Sequence, residues 1–341
     1  MSALSDNKQA RAHLCVRPYT VFPLPLGEGP GVRALRGGTM IDFEFHSPTS
    51  LEEAFALLET YGDDARVMAG GTALVLQMKQ RLAQPEHVIN LRRVPGLDRI
   101  AESTDDSGGV RIGALCTQRQ VETSPLLREK IPLVPETFRR IATPRIRHMA
   151  TIGGGLVHGD PSQDPPPTLI ALGASVVLTS ASGQRVVPVE ELFIDYYETD
   201  VHPGEILTSV LVPPAPAGSG AAYLKFLPRT ADDYATVSVA AVVTPGEGNI
   251  CQEARIALGS VGVTPVHATE AEDLLRGRPL TEENIRAAAA AVKNAVDPLD
   301  DYRGSAEYKR DMAEVFTRRA IQQALASLSP SPQPSPRGRG S

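Results

Sequence analysis

The chain has 341 residues, 42% of them hydrophobic and 22% charged, enough to bury two ordinary cores of roughly 100–200 residues each. Its net charge is −6 and its basic residues are scattered, so the cationic footprint that a nucleic-acid backbone demands is missing. No apolar run approaches the roughly 18–20 residues that span a bilayer, and no basic segment leads into a long apolar stretch near the start, so the expected location is the cytoplasm.

Residues 1–39 and 328–341 lack apolar periodicity and read as disordered extensions. One codon choice for Pro336-Arg337-Gly338-Arg339-Gly340 reads on the opposite strand as Pro-Leu-Pro-Leu, the series that stands at Pro23-Leu24-Pro25-Leu26. Two readings follow: the tails are halves of one inverted DNA repeat and Met40 is the native start, or they are a pair of ordinary disordered tails. Peptides upstream of Met40 in the natural protein would exclude the first.

From Met40 onward the pattern becomes that of a folded chain. Ser50 and Glu53 form a capping box, and Leu51, Ala54, Phe55, Leu57 and Leu58 recur at helical spacing up to a stop at Gly62. The apolar run Val67-Met68-Ala69 leads through Gly70-Gly71-Thr72 into a second helical pattern over 74–82, giving strand, glycine turn, helix. Strands are expected over 87–91 and 110–115, then mostly helix over 117–141 with breaks at Pro125, Pro132 and Pro135. A second glycine cluster, Thr151-Ile152-Gly153-Gly154-Gly155, is followed by His158, Asp160 and Asp164, a short helix over 168–172, a hairpin turning at Ser182-Gly183, and a strand over 206–212.

Residues 213–220, rich in proline and glycine, read as a linker that closes a first domain at about 215. A second domain over 216–327 shows three strands (222–226, 236–244, 254–259) and then helices over 267–275, 281–295 and 305–326, the order of a small α+β unit.

Two glycine clusters on separate elements suit an anionic cofactor, because glycine lets backbone N–H groups approach a diphosphate that bulkier side chains would keep away. Either cluster alone serves turn geometry just as well. No GxGxxG follows a strand and no GK[ST] occurs, which argues against a Rossmann site and a Walker loop. His158, Asp160 and Asp164 could hold a metal ion, or the acids could cap helices and bond a hydroxyl in a turn. Arg145, Arg147 and Lys225 could neutralise a phosphate or sit as solvated cations. Three widely spaced cysteines (Cys15, Cys116, Cys251) without a CxxC pair offer neither a disulfide framework nor the four thiolates that an iron–sulfur cluster usually takes, so any cluster belongs to a partner.

Ala69-Gly70-Gly71-Thr72 and Ala150-Thr151-Ile152-Gly153-Gly154, about eighty residues apart, together with Asp160-Pro161, Asp164, Gly204-Glu205-Ile206-Leu207, Lys225-Phe226 and Arg303-Gly304-Ser305-Ala306-Glu307-Tyr308, resemble the FAD-binding subunits of the xanthine dehydrogenase and aerobic carbon monoxide dehydrogenase family, in order from Phe43 to about Leu325. The resemblance implies an α+β fold: an FAD-binding domain of the vanillyl-alcohol-oxidase (PCMH) type with two subdomains over 40–215, then the family's small C-terminal α+β domain over 216–327. It implies that Val67, Met68, Ala69, Gly70, Gly71, Thr72, Ala73 and Leu74 form a first pyrophosphate loop and Thr151, Ile152, Gly153, Gly154 and Gly155 a second. Ile141 would lie near the flavin or diphosphate, Asp164 would bond a cofactor hydroxyl, and Leu207 and Lys225 would sit close to the isoalloxazine. Many relatives carry Asn where Gly155 stands, so a side-chain contact there is lost in this chain.

The same resemblance implies a complex with a molybdopterin-binding large subunit and a small subunit holding two 2Fe–2S clusters, assembled as a dimer of heterotrimers and delivering electrons to NAD+, a quinone or oxygen. No resident metal and no catalytic acid–base pair are expected on this chain. Two other readings stand beside it. A self-contained FAD oxidase would turn over a small molecule alone, and a flavin-free scaffold would purify colourless.

Overall fold

A computed structural model of the chain describes residues 40–103, 108–227, 230 and 233–328. The expectations for residues 1–39, for Cys15 and for the tail beyond Leu328 lie outside the described residues.

The first layer is a parallel sheet ordered β1(Glu44–His46)–β3(His87–Asn90)–β2(Ala65–Met68), crossed by α1(Leu51–Tyr61). Ser50 caps α1 by accepting the Glu53 amide at 3.2 Å, and the Glu53 carboxylate accepts from the Thr49 amide at 2.7 Å. Ala54 and Phe55 then bury against Ala65, Ile89, Leu97 and Leu115. Directly after β2 the chain turns through Gly70 into α2(Leu74–Lys79), which is shorter than its apolar pattern predicts because Arg81 takes a left-handed φ of 61° and ends it.

The second layer is an antiparallel sheet ordered β4(Ile100–Glu102)–β5(Val110–Gly113)–β10(Ile206–Val212)–β6(Ser175–Ser180)–β7(Gly183–Pro188). Its apolar face packs on a run of short helices: α3(Gln118–Thr123), α4(Pro125–Lys130), α5(Leu133–Arg139), α6(Pro144–Arg147), α7(Ile152–His158), α8(Pro165–Ala171) and α9(Val189–Leu192). The small ribbon β8(Phe193–Asp195)–β9(Glu198–Thr199) closes the unit. Prolines open these helices more often than they interrupt them. Pro125 and Pro144 stand at first helical positions, Pro165 to Pro167 fill the first turn of α8, and Pro135 lies inside the first turn of α5 instead of breaking it. The first-turn amides of a helix have no intrahelical acceptor, so the missing N–H costs nothing there.

The C-terminal domain is an antiparallel sheet ordered β11(Gly220–Phe226)–β12(Val237–Pro245)–β13(Cys251–Gly259)–β14(Val266–His267), backed by α10(Thr269–Leu275), α11(Glu282–Ala295) and α12(Ala306–Ser327). β12 is buried from Val237 to Thr244. Its alternate residues explain why: Val237, Val239, Ala241 and Val243 face the helices, while Ala240 and Val242 join Tyr223 and Ala257 in the core of the first domain. The sheet is therefore the shared wall of two cores. At roughly 1.5–3 kcal/mol per fully buried aliphatic side chain, that wall fixes the two domains against each other, and the proline-rich 213–219 segment need only connect them. The helix expected from 267 starts at Thr269, because His267 pairs in β14.

Candidate functional site

The turn between β2 and α2 and the start of α7 lie side by side. A Cβ built on Gly70 would sit 2.0 Å from the Met149 carbonyl oxygen and 3.0 Å from the Ala150 Cα, and one built on Gly154 would meet the Ala69 Cβ at 3.4 Å. Backbone packs directly on backbone, which a side chain at Gly70 would forbid. Gly153 plays the same part against Ala114: an added Cβ would fall 2.6 Å from the Ala114 Cβ, and the Gly153 amide donates to the Ala114 carbonyl at 2.9 Å.

The two clusters differ in what their amides do. Residues 151–155 are not a loop, as the sequence suggests, but the N-cap and first turn of α7. All their donors from Ile152 to Gly155 are spent inside the protein: Ile152 on the Cys116 carbonyl (3.0 Å), Gly153 on Ala114, Gly154 on the Thr151 hydroxyl (3.1 Å) and Gly155 on the Thr151 carbonyl (3.0 Å). In the first turn, none of the amides of Gly70, Gly71, Thr72 and Ala73 has a hydrogen-bond partner within the described residues, and all four residues are at least partly exposed. Gly71 holds a φ of 74° there, a conformation that suits glycine. Four successive free donors in one turn make a concave anion seat. Beside it, a Cβ on Gly155 would touch only the side-chain ends of Gln163 (3.6 Å) and Gln118 (4.0 Å), and the buried Gln118 Oε1 and Gln163 Nε2 have no partner among the described residues. Buried amide groups without partners are costly and mark a place where another polar molecule belongs. These features fit a diphosphate-bearing cofactor.

Ile141 is buried and sits in a turn that Arg147 clamps. The Arg147 guanidinium donates to the Ile141 carbonyl (2.5 Å) and the Ala142 carbonyl (2.8 Å), and its Nε donates to Glu122 (2.9 Å). Ala142 is held at a φ of 36°, unusual for a residue with a Cβ. Burial pushes the Glu122 carboxyl up, but the Arg119 and Arg147 guanidiniums more than offset it and hold the acid below its ordinary range. Arg147 is thus neither a solvated cation nor free to neutralise a phosphate.

Asp164 and Lys225 come together although 61 residues separate them in the chain. The Lys225 ammonium donates to Asp164 Oδ2 at 2.8 Å and to the Arg140 carbonyl at 3.1 Å, while the Tyr223 hydroxyl donates to Asp164 Oδ1 at 2.5 Å. Both side chains of the ion pair are nearly sealed from solvent, and burial pushes the Asp164 carboxyl up despite the ammonium beside it. Tyr223, which the sequence does not single out, completes the group from the same face of β11 as Lys225. Leu207 lies at the start of β10, next to a bulge before Ser209, in one apolar cluster with Ile141 and Ile152. Asp160 accepts from the Ser162 amide at 2.8 Å, which spends that oxygen in a tight turn of its own backbone. Burial raises the hydroxyls of Tyr197 and Tyr234, both of which face Asp160. Burial also pushes the Cys116 thiol up to about 12, which disfavours the thiolate.

Comparison with known proteins gives this arrangement a family. Residues 41–215 match the FAD binding domain in molybdopterin dehydrogenase, and residues 222–324 match the CO dehydrogenase flavoprotein C-terminal domain. The carbon monoxide dehydrogenase medium chain of Afipia carboxidovorans is 42% identical over 284 residues, 83% of this chain and 97% of that one. The glyceraldehyde dehydrogenase medium chain of Sulfolobus acidocaldarius is 33% identical over 83% of this chain and 98% of its own length. The solved carbon monoxide dehydrogenase of Hydrogenophaga pseudoflava, 39% identical, superposes with a TM-score of 0.81 over 84% of this chain and 99% of its own. The chain belongs to the FAD-binding medium subunits of the carbon monoxide dehydrogenase and xanthine dehydrogenase-like molybdenum hydroxylases, and is an oxidoreductase subunit. The fold class that the sequence resemblance implies is borne out. No helix among the described residues is long and apolar enough to cross a membrane.

Proposed function

We propose that the subunit holds FAD by its diphosphate in the turn of Gly70, Gly71, Thr72 and Ala73, takes electrons from two 2Fe–2S clusters on a small partner subunit, and hands them to NAD+, a quinone or oxygen. Substrate oxidation belongs to a molybdopterin-binding large subunit, and the assembly is a cytoplasmic dimer of heterotrimers. The bound FAD supplies the redox chemistry, and the protein's part is to position and tune it.

The observation that carries this reading is the row of four unpartnered amides in a turn walled by a side-chain-poor helix start. Each charge-assisted bond from such an amide to a phosphate oxygen contributes about 1.5–3 kcal/mol. Val67, Met68, Ala69 and Leu74 frame the turn. Thr151, Ile152, Gly153, Gly154 and Gly155 form the opposing wall, which excludes bulk without offering free amides, and Gln118 and Gln163 present their spare polar atoms beside Gly155. Ile141 and Leu207 give apolar walls. Asp164 and Lys225 act as a fixed buried dipole whose ammonium keeps one donor to spare after serving Asp164 and Arg140. The direct test is the flavin content of Gly70→Val. The expected product is colourless and does not take up FAD, whereas full occupancy would refute the assignment.

A further inference from the structure

We propose that Glu44, His46 and His87 form a site for a divalent transition-metal ion of the zinc class, bridging β1 and β3, with β3 lying between β1 and the strand that leads into the Gly70 turn. The register of the sheet creates the cluster. Glu44 pairs with His87 across β1 and β3, and Glu44 and His46, two residues apart on one strand, share a face. The Tyr61 ring at the end of α1 stacks on His87 with centroids 3.7 Å apart and planes 18° apart, fixing the orientation of that imidazole.

Three candidate ligand atoms converge. His46 Nε2 and His87 Nδ1 are 3.1 Å apart, and Glu44 Oε2 lies 3.6 Å from His87 Nδ1 and 3.9 Å from His46 Nε2. Without an ion the two imidazole nitrogens share one hydrogen bond and the carboxylate stands at ion-pair distance, too far from either nitrogen for a hydrogen bond. The same spacing suits coordination: ligands at 2.0–2.1 Å from a tetrahedral zinc ion are about 3.3 Å from one another, and a point about 2.1 Å from all three atoms exists within this triangle. Two imidazoles with one carboxylate and no thiolate select zinc-class ions over calcium or magnesium. The imidazoles are largely buried and Glu44 is 71% exposed, which leaves a fourth position open to solvent.

The glycine turn leaves β2 after Met68, whereas His87 is level with Ala65 and His46 with Val67, and His46 stands two strands across from β2. At about 3.3 Å per residue the two places are roughly 10–15 Å apart, so the ion would staple the first strand to its neighbour without touching the flavin seat.

The test titrates zinc into the untagged, chelator-treated full chain by calorimetry, with metal content measured after gel filtration. One zinc per chain with a micromolar or tighter Kd is expected, together with a higher thermal midpoint. His46→Ala and His87→Ala should each weaken binding at least about a hundredfold while retaining FAD, and Glu44→Gln, at an exposed position that leaves the fold intact, by roughly tenfold. Absence of stoichiometric zinc in the parent, or an unchanged Kd in Glu44→Gln and in either histidine variant, overturns the proposal.

Discussion

The two glycine clusters look alike in sequence and do different work. At Gly153 and Gly154 the missing side chains let α7 press its backbone onto Ala114 and Ala69, and every amide from Ile152 to Gly155 is already bonded to the protein. At Gly70 the missing side chain serves the same close approach, against Met149, but the amides that follow it have no acceptor among the described residues. One cluster is a spacer and the other is both spacer and donor row. Glycine richness therefore marks close approach of backbone to something, and only the hydrogen-bond inventory tells whether that something is protein or ligand.

The largest effect that sharpens this contrast is Gly70→Val. Its Cβ would collide with the Met149 carbonyl, and relieving such overpacking costs about 1–3 kcal/mol or more. Flavin absorbance should vanish and the thermal midpoint should fall. Gly155→Ala is the counterpart. Its Cβ meets only flexible side-chain ends, so the midpoint should stay within a degree or two of the parent and FAD should still load. Equal damage from both substitutions would erase the distinction drawn here.

Next in size are the buried ion pairs that support each side of the site. Arg147→Met leaves Glu122 with Arg119 as its one remaining cation and two carbonyls unpaired, and at about 1–3 kcal/mol per unsatisfied buried group should destabilise the chain by about 3–5 kcal/mol in urea unfolding. Lys225→Met leaves Asp164 buried with Tyr223 as its remaining partner and should cost a similar amount, less whatever Asp164 recovers by taking up a proton. The family resemblance implies a Lys225 beside the flavin, which would make its loss mainly a matter of reactivity. The buried pairing makes it first a matter of folding.

A smaller effect is set by pH at the junction of the two domains. His267 Nδ1 meets Glu190 at 2.5 Å and Nε2 meets Glu272 at 2.8 Å. The hydrogen bond to Glu272 comes first among the influences that raise the imidazole pKa, burial opposes it, and Glu190 adds to the rise. A raised folded-state value means that this link contributes its full stability below the unfolded imidazole value of about 6.5, and loses it as pH rises through the folded value. The thermal midpoint of the parent minus that of His267→Gln should therefore shrink from pH 6 towards pH 9. A constant difference over that range would show that the charge does not couple to folding.

Much of this was legible in the chain. The capping box at Ser50, the strand–glycine–helix at Val67 to Leu74 and the apolar run of β12 are local patterns, and local patterns survive in sequence. The three-residue strand Glu44–His46 was not, because three mixed residues carry no period. Nor could the sequence tell a loop from a helix start at Thr151. That choice depends on the carbonyls of Ala114 and Cys116, brought alongside by β5 and the turn after it. Asp164, Lys225 and Arg147 were each visible as residues of interest, but Glu122 lies 25 residues from Arg147, and Asp164 and the Arg140 carbonyl lie 61 and 85 residues from Lys225, and whether a charge is free or spent is decided by those partners.

The central claim is that the diphosphate of FAD rests on the amides of Gly70 to Ala73. Hydrogen–deuterium exchange of the chain with and without FAD tests it most directly. Flavin loading should protect the peptide carrying residues 70–73 strongly, while residues 152–155, whose amides are bonded in either state, should be slow to exchange throughout and change little. Protection gained at 152–155 with none at 70–73 would contradict the account.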